Sequence, residues 1–247
     1  LRRKPLIWDN LHANDYDGRR FFCGPYCGRP PELRNAVSGL LINPNTEFPL
    51  NFVAIRTLAE FVRCPGTCNS RQAYREAMRE WLPYFATSGP PLELEDLILL
   101  GDCYYLPHEE GAEAVALFER VCALLARNPA NWGNEAATVR RQIARLREFC
   151  FRLTELRHRP LFYALNRRVW ELREELDLLD RYLAFKSSPG NQKAAYHPDS
   201  HLPGTYRGGM VARLQRLLVP QTDGTIAPAP VTLPGAAEPR RQTHIAQ

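Results

Sequence analysis

A short apolar run, Pro5-Leu6-Ile7-Trp8, gives way to Asp9-Asn10-Leu11-His12-Ala13-Asn14-Asp15-Tyr16-Asp17. The cluster gathers carboxylates, carboxamides and two aromatic rings at one place in the chain. Carboxylates accept hydrogen bonds and carboxamides both donate and accept, which suits sugar hydroxyls. An aromatic face packs against the C–H surface of a sugar ring or against an acetyl methyl. These are the groups a carbohydrate pocket needs. The same residues also fit an Asx-rich turn with Trp8 in the core, because Asn and Asp side chains bond nearby backbone amides. A calcium loop does not fit, since its Gly and terminal Glu spacing is missing.

Other reactive side chains are sparse. Cys23-Gly-Pro-Tyr-Cys27 and Cys64-Pro-Gly-Thr-Cys68 are Cys-x3-Cys pairs in turn-forming sequence. Four thiolates could hold zinc, but structural zinc pairs usually have two intervening residues. Free thiols in a reducing compartment are the expectation, with no metal and no cofactor. Cys103, Cys122 and Cys150 fall in apolar helical patterns and read as small core residues. Glu109-Glu110 and Glu174-Glu175 fall on helical segments and read as solvated faces.

The elements that must position the polar cluster are extended. Pro5 to Trp8 is one such segment. Val37 to Ile42 is a second, and it ends in Asn43-Pro44-Asn45. Each is an apolar run closed by an Asn/Asp-rich loop. From Asn51 onward the pattern is helical. Asn51 is placed to cap Phe52 to Val62, and Pro65-Gly66 ends that helix. Ser70 starts the next, to about Phe85, and Ser88-Gly89-Pro90-Pro91 is a break. Helices are expected over about 92–105 and 109–127. Val139, Ile143, Leu146, Cys150 and Leu153 then recur at spacings of four and three, as do Leu165, Val169, Leu172, Leu176, Leu179 and Leu183. That is the seam of helices packed side by side. A last amphipathic helix is expected over Tyr206 to Leu218, with Met210, Leu214, Leu217 and Leu218 on its apolar face.

The 247 residues suffice for one large domain or two small ones, and 45% hydrophobic with 24% charged residues is globular composition. A net charge of +5, with both signs interspersed, gives no nucleic-acid arm, and no apolar run approaches the roughly 20 residues of a membrane span. The start, Leu1-Arg2-Arg3-Lys4-Pro5, has neither a Met nor the apolar core of a signal peptide, so the chain is expected to be a piece of a longer protein.

Leu6 to Asp17, then Gly24-Pro25-Tyr26, Gly28-Arg29, Gly39-Leu40-Leu41, Asn43-Pro44-Asn45 with Glu47-Phe48, and Val53 to Ala59 closely resemble the protein O-GlcNAcase family, the β-N-acetylglucosaminidases of glycoside hydrolase family 84. Similarity returns at Leu94 to Leu97, Tyr105-Leu106-Pro107, Val169-Trp170 and Tyr206 to Gly209. The resemblance implies a mainly α chain: residues 1–50 as the last β/α segment of a TIM-type catalytic barrel, 51–219 as a helical stalk bundle, and 220–247 as a disordered tail. It implies that Asp15 binds distal hydroxyls of N-acetylglucosamine with help from Asn43, that Asn10 and Trp8 surround the acetamido group, and that Tyr16 lines the pocket. The family's chemistry is retaining and substrate-assisted, with an Asp-Asp pair serving the acetamido group and the leaving group. No Asp-Asp dipeptide occurs in this sequence. The chain is therefore expected to hold a sugar-binding half-site without its catalytic residues, and to be inactive alone.

The implied partners are intracellular proteins carrying O-linked N-acetylglucosamine on Ser/Thr, in cytoplasm and nucleus, with a homodimer formed through the stalk and no nucleic acid or membrane. The last helix then either crosses to a second copy or packs back on its own bundle. The competing reading is a non-catalytic helical dimerisation or interaction module.

Overall fold

The computed structural model describes residues 3–199 and 209–229. Two short parallel strands, β1 (Leu6–Asp9) and β2 (Gly39–Ile42), pair in the register Leu6↔Gly39 to Asp9↔Ile42, with the turn helix α1 (Leu33–Ala36) in the crossover. Everything that follows, as far as Ser187, is helical: α2 (Phe52–Arg63), α3 (Ser70–Trp81), α4 (Leu94–Cys103), α5 (Ala112–Leu125), α6 (Gly133–Arg152) and α7 (Arg159–Ser187). The mainly α class is borne out, with a parallel strand pair placed where the extended runs were expected.

The two long helices follow the periodicity. Val139, Ile143, Leu146, Cys150 and Leu153 are buried, and so are Leu165, Val169, Leu172, Leu176, Leu179 and Leu183. Pro160 sits in the first turn of α7, where its missing N–H costs nothing, and the His158 ring accepts from Leu161 N at 3.1 Å. Two caps differ from expectation. Asn69, not Ser70, caps α3, accepting from Gln72 N at 3.0 Å. The Asn51 side chain leaves the α2 terminus uncapped because it is committed to Asn45. One continuous apolar core joins Leu11, Phe21 and Tyr26 to the helical seams, so packing does not break at residue 50.

The C-terminal part corrects two expectations. Among the described residues the helix α8 is Gly209–Gln215; it ends before Leu218, which belongs to a strand. That strand, β3 (Leu218–Pro220), forms an antiparallel hairpin with β4 (Ile226–Pro228) across a turn in which Gly224 has φ +80°. Ile226 N donates to Tyr196 O at 2.9 Å, tying the hairpin to the loop after α7. Residues 220–229 are thus structured, where the Pro-rich composition predicts a disordered tail; strand pairing and the burial of Ile226 supply what periodicity lacks. Gly204, Tyr206 and residues 230–247 lie outside the described residues.

α8 packs back on its own chain. Met210, Leu214, Leu217 and Leu218 are buried; Met210 Sδ lies 3.4 Å from Cys103 Sγ, and the Arg213 guanidinium sits 3.7 Å over the Phe118 ring and pairs with Glu110. The apolar face of this helix is therefore covered by its own chain.

Glu175 is a further correction, because it is buried on α7 and not part of a solvated face. Burial pushes its carboxyl up to about 7; Gln215 opposes the shift, and Glu171 and Glu174 add to it. A folded pKa above the ordinary value means stability present at acid pH and lost as pH rises through 7. Glu175→Gln should therefore unfold at higher urea than the parent at pH 8. The gap should close as pH falls towards 4.5, amounting to at most about 3 kcal/mol by linkage. A gap independent of pH in paired urea titrations would place this carboxyl in solvent.

Candidate functional site

In a parallel pair both strands run the same way, so their C-terminal loops emerge side by side. This is the edge where α/β folds bind ligands. Here that rule brings Asn10–Asp17 against Asn43–Asn45, and Asn43 N donates to Asp9 O at 2.8 Å to extend the ladder. The Asp15 carboxylate is exposed and accepts from Asn43 Nδ2 at 3.1 Å. An acceptor and a donor–acceptor at that separation match two neighbouring hydroxyls on a sugar. At the end of β1 the Trp8 indole N–H donates to Oδ1 of exposed Asn10 at 3.1 Å. Trp8 is 63% exposed, so it is not a core residue, and it shares its face of the sheet with exposed Leu6 and Leu41. Tyr16 is exposed as well and contacts neither pair: the Arg20 guanidinium lies 5.3 Å over its ring. The structure thus makes two contacting pairs, Asp15–Asn43 and Trp8–Asn10, and leaves Tyr16 stacked with Arg20.

The loops hold their shape through three buried carboxamides. Asn14 Oδ1 accepts from Thr46 N at 2.7 Å and from its hydroxyl at 2.6 Å, while Nδ2 donates to Arg20 O at 2.9 Å. Asn45 bonds both backbone groups of Phe22, at 2.9 Å each, and Asn51 bonds both backbone groups of Asn45. Arg168 reaches in from α7, donating to Gly18 O at 2.7 Å, Arg20 O at 3.2 Å and Glu47 Oε1 at 2.7 Å. Asn and Asp in this stretch therefore divide by burial: Asn14, Asn45 and Asn51 build the loops, while Asp15, Asn43 and Asn10 face solvent or are half-buried.

Sequence reasoning missed the layer beneath. Asp9 is buried and accepts from Arg29 at 2.7 Å through both oxygens, from the Tyr26 hydroxyl at 2.8 Å and from Leu11 N at 3.0 Å. Burial alone would raise this carboxyl, but Arg29, Tyr26 and the amide hold it below the usual carboxylate range. His12 is buried, with Nε2 2.9 Å from Gly24 O. A carbonyl only accepts, so Nε2 carries the proton; Nδ1 has no partner. The signal was available: His12 lies between Leu11 and Ala13, a short apolar break in a polar run.

No acid–base pair stands at the strand ends. Asp9 is neutralised by Arg29, and Asp17 pairs with Arg19 at 2.8 Å. Glu110 and Glu175 are engaged near α8. The two Cys pairs do not meet: Cys23 is buried in the core while Cys64 and Cys68 lie on the α2–α3 loop. Among the described residues no group of three His, Cys, Asp or Glu is placed to hold a metal. A concavity of about 670 Å³ lies elsewhere, lined by apolar groups including Phe48, Phe52, Trp81, Tyr84 and Pro160, and takes in none of the five sugar-site candidates.

Residues 1–88 match the family model for beta-N-acetylglucosaminidase, a match that runs past Asn51 and through α3. Protein O-GlcNAcase of Rattus norvegicus and that of Mus musculus are each 56% identical to this chain over 63 residues. This segment is O-GlcNAcase-like. The matched stretch is 26% of this chain and 7% of those relatives' length. A solved structure of CpGH84B shares the fold with a TM-score of 0.60 at 14% identity, over 78% of this chain and 33% of that one. The O-GlcNAcase-like part thus contains both strands, both ligand-edge loops and the buried carboxamides. No helix among the described residues is long and apolar enough to cross a membrane.

His12 supplies a test of the buried layer. Burial lowers it to about 4, against the opposing Gly24 bond. A depressed folded pKa means stability present above 6.5 and lost as pH falls towards 4. His12→Gln should flatten that acid limb by at most about 3 kcal/mol in urea unfolding between pH 7 and 4. An unchanged limb would mean that the imidazole reaches solvent.

Proposed function

We propose that this chain carries the sugar-binding half-site of a retaining, substrate-assisted β-N-acetylglucosaminidase that removes O-linked N-acetylglucosamine from Ser/Thr of intracellular proteins. The single observation that carries the reading is the exposed Asp15–Asn43 pair at 3.1 Å, standing at the C-terminal edge of a parallel strand pair in the O-GlcNAcase-like segment. Asp15 and Asn43 bind distal hydroxyls. Asn10 takes the acetamido group with the Trp8 indole beside it, and Tyr16 borders the pocket. The catalytic Asp pair comes from outside these residues, on further strands of the barrel. Support for such strands is the exposed apolar face of Leu6, Trp8 and Leu41 and the two-stranded extent, among the described residues, of the β1–β2 sheet. The same proposal places the protein in cytoplasm and nucleus and lets it pair with a second copy along the stalk. There, exposed Phe151, Tyr163 and Trp170 form an aromatic band on α6 and α7.

The chain alone should not turn over a fluorogenic N-acetylglucosaminide, because positioned acid–base groups are missing. A chimaera in which residues 1–88 replace the matching segment of the rat protein O-GlcNAcase should hydrolyse it. Asp15→Ala in that chimaera should lower kcat/KM roughly 10- to 150-fold, the worth of a charged hydrogen bond of about 1.5–3 kcal/mol. Turnover by the isolated chain, or near-parental kinetics in the Asp15 variant, would overturn the proposal.

A further inference from the structure

The α2–α3 loop, Cys64-Pro-Gly-Thr-Cys68, holds two thiols that the sugar site does not use. Both side chains face one carbonyl: Gly66 O lies 3.5 Å from Cys64 Sγ and 3.9 Å from Cys68 Sγ. The Arg34 guanidinium clamps the loop. It donates to Phe61 O at 3.0 Å, to Cys64 O and to Gly66 O at 2.6 Å, and Nη1 lies 4.0 Å from Cys68 Sγ. Both residues are half-buried at the surface, so small reagents can reach them.

The other five thiols contrast. Cys23, Cys103, Cys122 and Cys150 are buried and Cys27 partly so, and burial pushes every one of them up, away from the reactive thiolate. Burial and the neighbouring Cys64 push Cys68 up as well. Cys64 alone is held below the ordinary thiol value, by the Cys68 S–H first, then by Gly66 and the Arg34 charge. One thiol that ionises early beside one that keeps its proton is the arrangement of an attacking and a resolving cysteine.

We propose that Cys64 and Cys68 form a peroxide-reactive dithiol that closes to a disulfide within the α2–α3 loop. The Cys64 thiolate attacks the terminal oxygen of a hydroperoxide. An S–O bond forms, the O–O bond breaks and hydroxide or alkoxide leaves, taking a proton from water. Cys68 then gives up its proton and attacks the sulfenic sulfur of Cys64. The S–S bond forms, the S–O bond breaks and the departing hydroxide leaves as water with that proton. The two sulfurs lose two electrons and the hydroperoxide gains them; with hydrogen peroxide the products are one disulfide and two waters. Cys64 and Cys68 stand four positions apart in one loop, with their sulfurs 3.5 and 3.9 Å from the same Gly66 O, so side-chain rotation carries them toward the bonding distance of about 2.05 Å. The closed ring lies under the Arg34 clamp, which joins the end of α2 to the turn helix α1 that feeds β2.

The test uses the full chain. Arg63 and Arg71 bracket a tryptic peptide, Cys64–Arg71, that contains both cysteines and no other. After brief hydrogen peroxide treatment and quenching with iodoacetamide, mass spectrometry should find this peptide two hydrogens lighter and unalkylated, while the peptides with Cys103, Cys122 and Cys150 stay reduced. In Cys68→Ser, dimedone should trap a sulfenic acid on Cys64. In Cys64→Ser, Cys68 should react at least tenfold more slowly than Cys64 does in the parent. The proposal fails if the 64–71 peptide remains fully alkylated while other cysteines oxidise. It fails equally if Cys68 reacts in Cys64→Ser as fast as Cys64 does in the parent; unchanged circular dichroism verifies that both variants are folded.

Discussion

The loop edge that carries Asp15 and Asn43 depends on one buried carboxamide. Asn14 reaches from the loop after β1 to Thr46 in the loop after β2, with its oxygen on the Thr46 amide and hydroxyl and its nitrogen on Arg20 O. Two loops that leave a parallel pair have no ladder to hold them once the strands end. A side chain with both donor and acceptor, buried where water cannot compete, replaces that ladder. Asn45 and Asn51 repeat the device one step further in, with the chain at Phe22 and the start of α2 as their targets. Asp15 and Asn43 meet at 3.1 Å because the backbone on either side of each is already fixed. Asp in place of Asn14 would offer oxygens alone, set a carboxylate against Arg20 O and leave that carbonyl to the Arg168 guanidinium as its one remaining donor.

The helical part takes a share in the same edge. Arg168 lies in the seam of α7 among residues that otherwise read as pure packing, and it is 5% exposed. Its guanidinium ends on Gly18 O, Arg20 O and Glu47, so a bundle residue closes the loop that presents Asp15 and Tyr16. Burying a guanidinium is costly unless its donors are met and its charge is balanced. Carbonyls meet the donors and Glu47 balances the charge. The continuous core from Leu11 to the helical seams describes the same dependence in apolar terms: the loop edge folds against the bundle, and α2, which the family match includes, is the element between them.

How much of this was legible in the sequence follows from which forces leave a periodic trace. The seams of α6 and α7 were legible because burial repeats along a helix, and each residue named from spacing is buried. The two strands were legible as apolar runs closed by Asn and Asp. The division of labour among those Asn and Asp residues was not, since half-buried Asn43 and fully buried Asn45 stand two positions apart in the same tripeptide motif. Nor could spacing reveal that Asn51 would prefer Asn45 to the end of α2, or that Glu175 in a Glu-Glu pair would turn inward beneath α8. These are tertiary choices, decided by partners far away in the chain. The hairpin β3–β4 was missed for the opposite reason: strands of three residues carry no period, and their Pro content argues for disorder until pairing is known.

Asp9 and Asp15 show how one loop gives two carboxylates different duties. Asp9 receives a bidentate guanidinium, a phenol and an amide, so every lone pair that faces the interior is used and its charge is cancelled on the spot. Such a group can neither bind a neutral sugar nor take a proton at ordinary pH; its work is to fix the turn that begins at Asn10. Asp15 has one amide partner and solvent. Its remaining lone pairs are unclaimed, and no cation among the described residues pairs with it. Under the proposed function that isolation matters, because a nearby guanidinium would hold a carboxylate more strongly than a sugar can. The carboxylate proposed to meet the sugar is thus the less engaged of the two, and the buried carboxylate six positions earlier is what lets the loop afford that exposure.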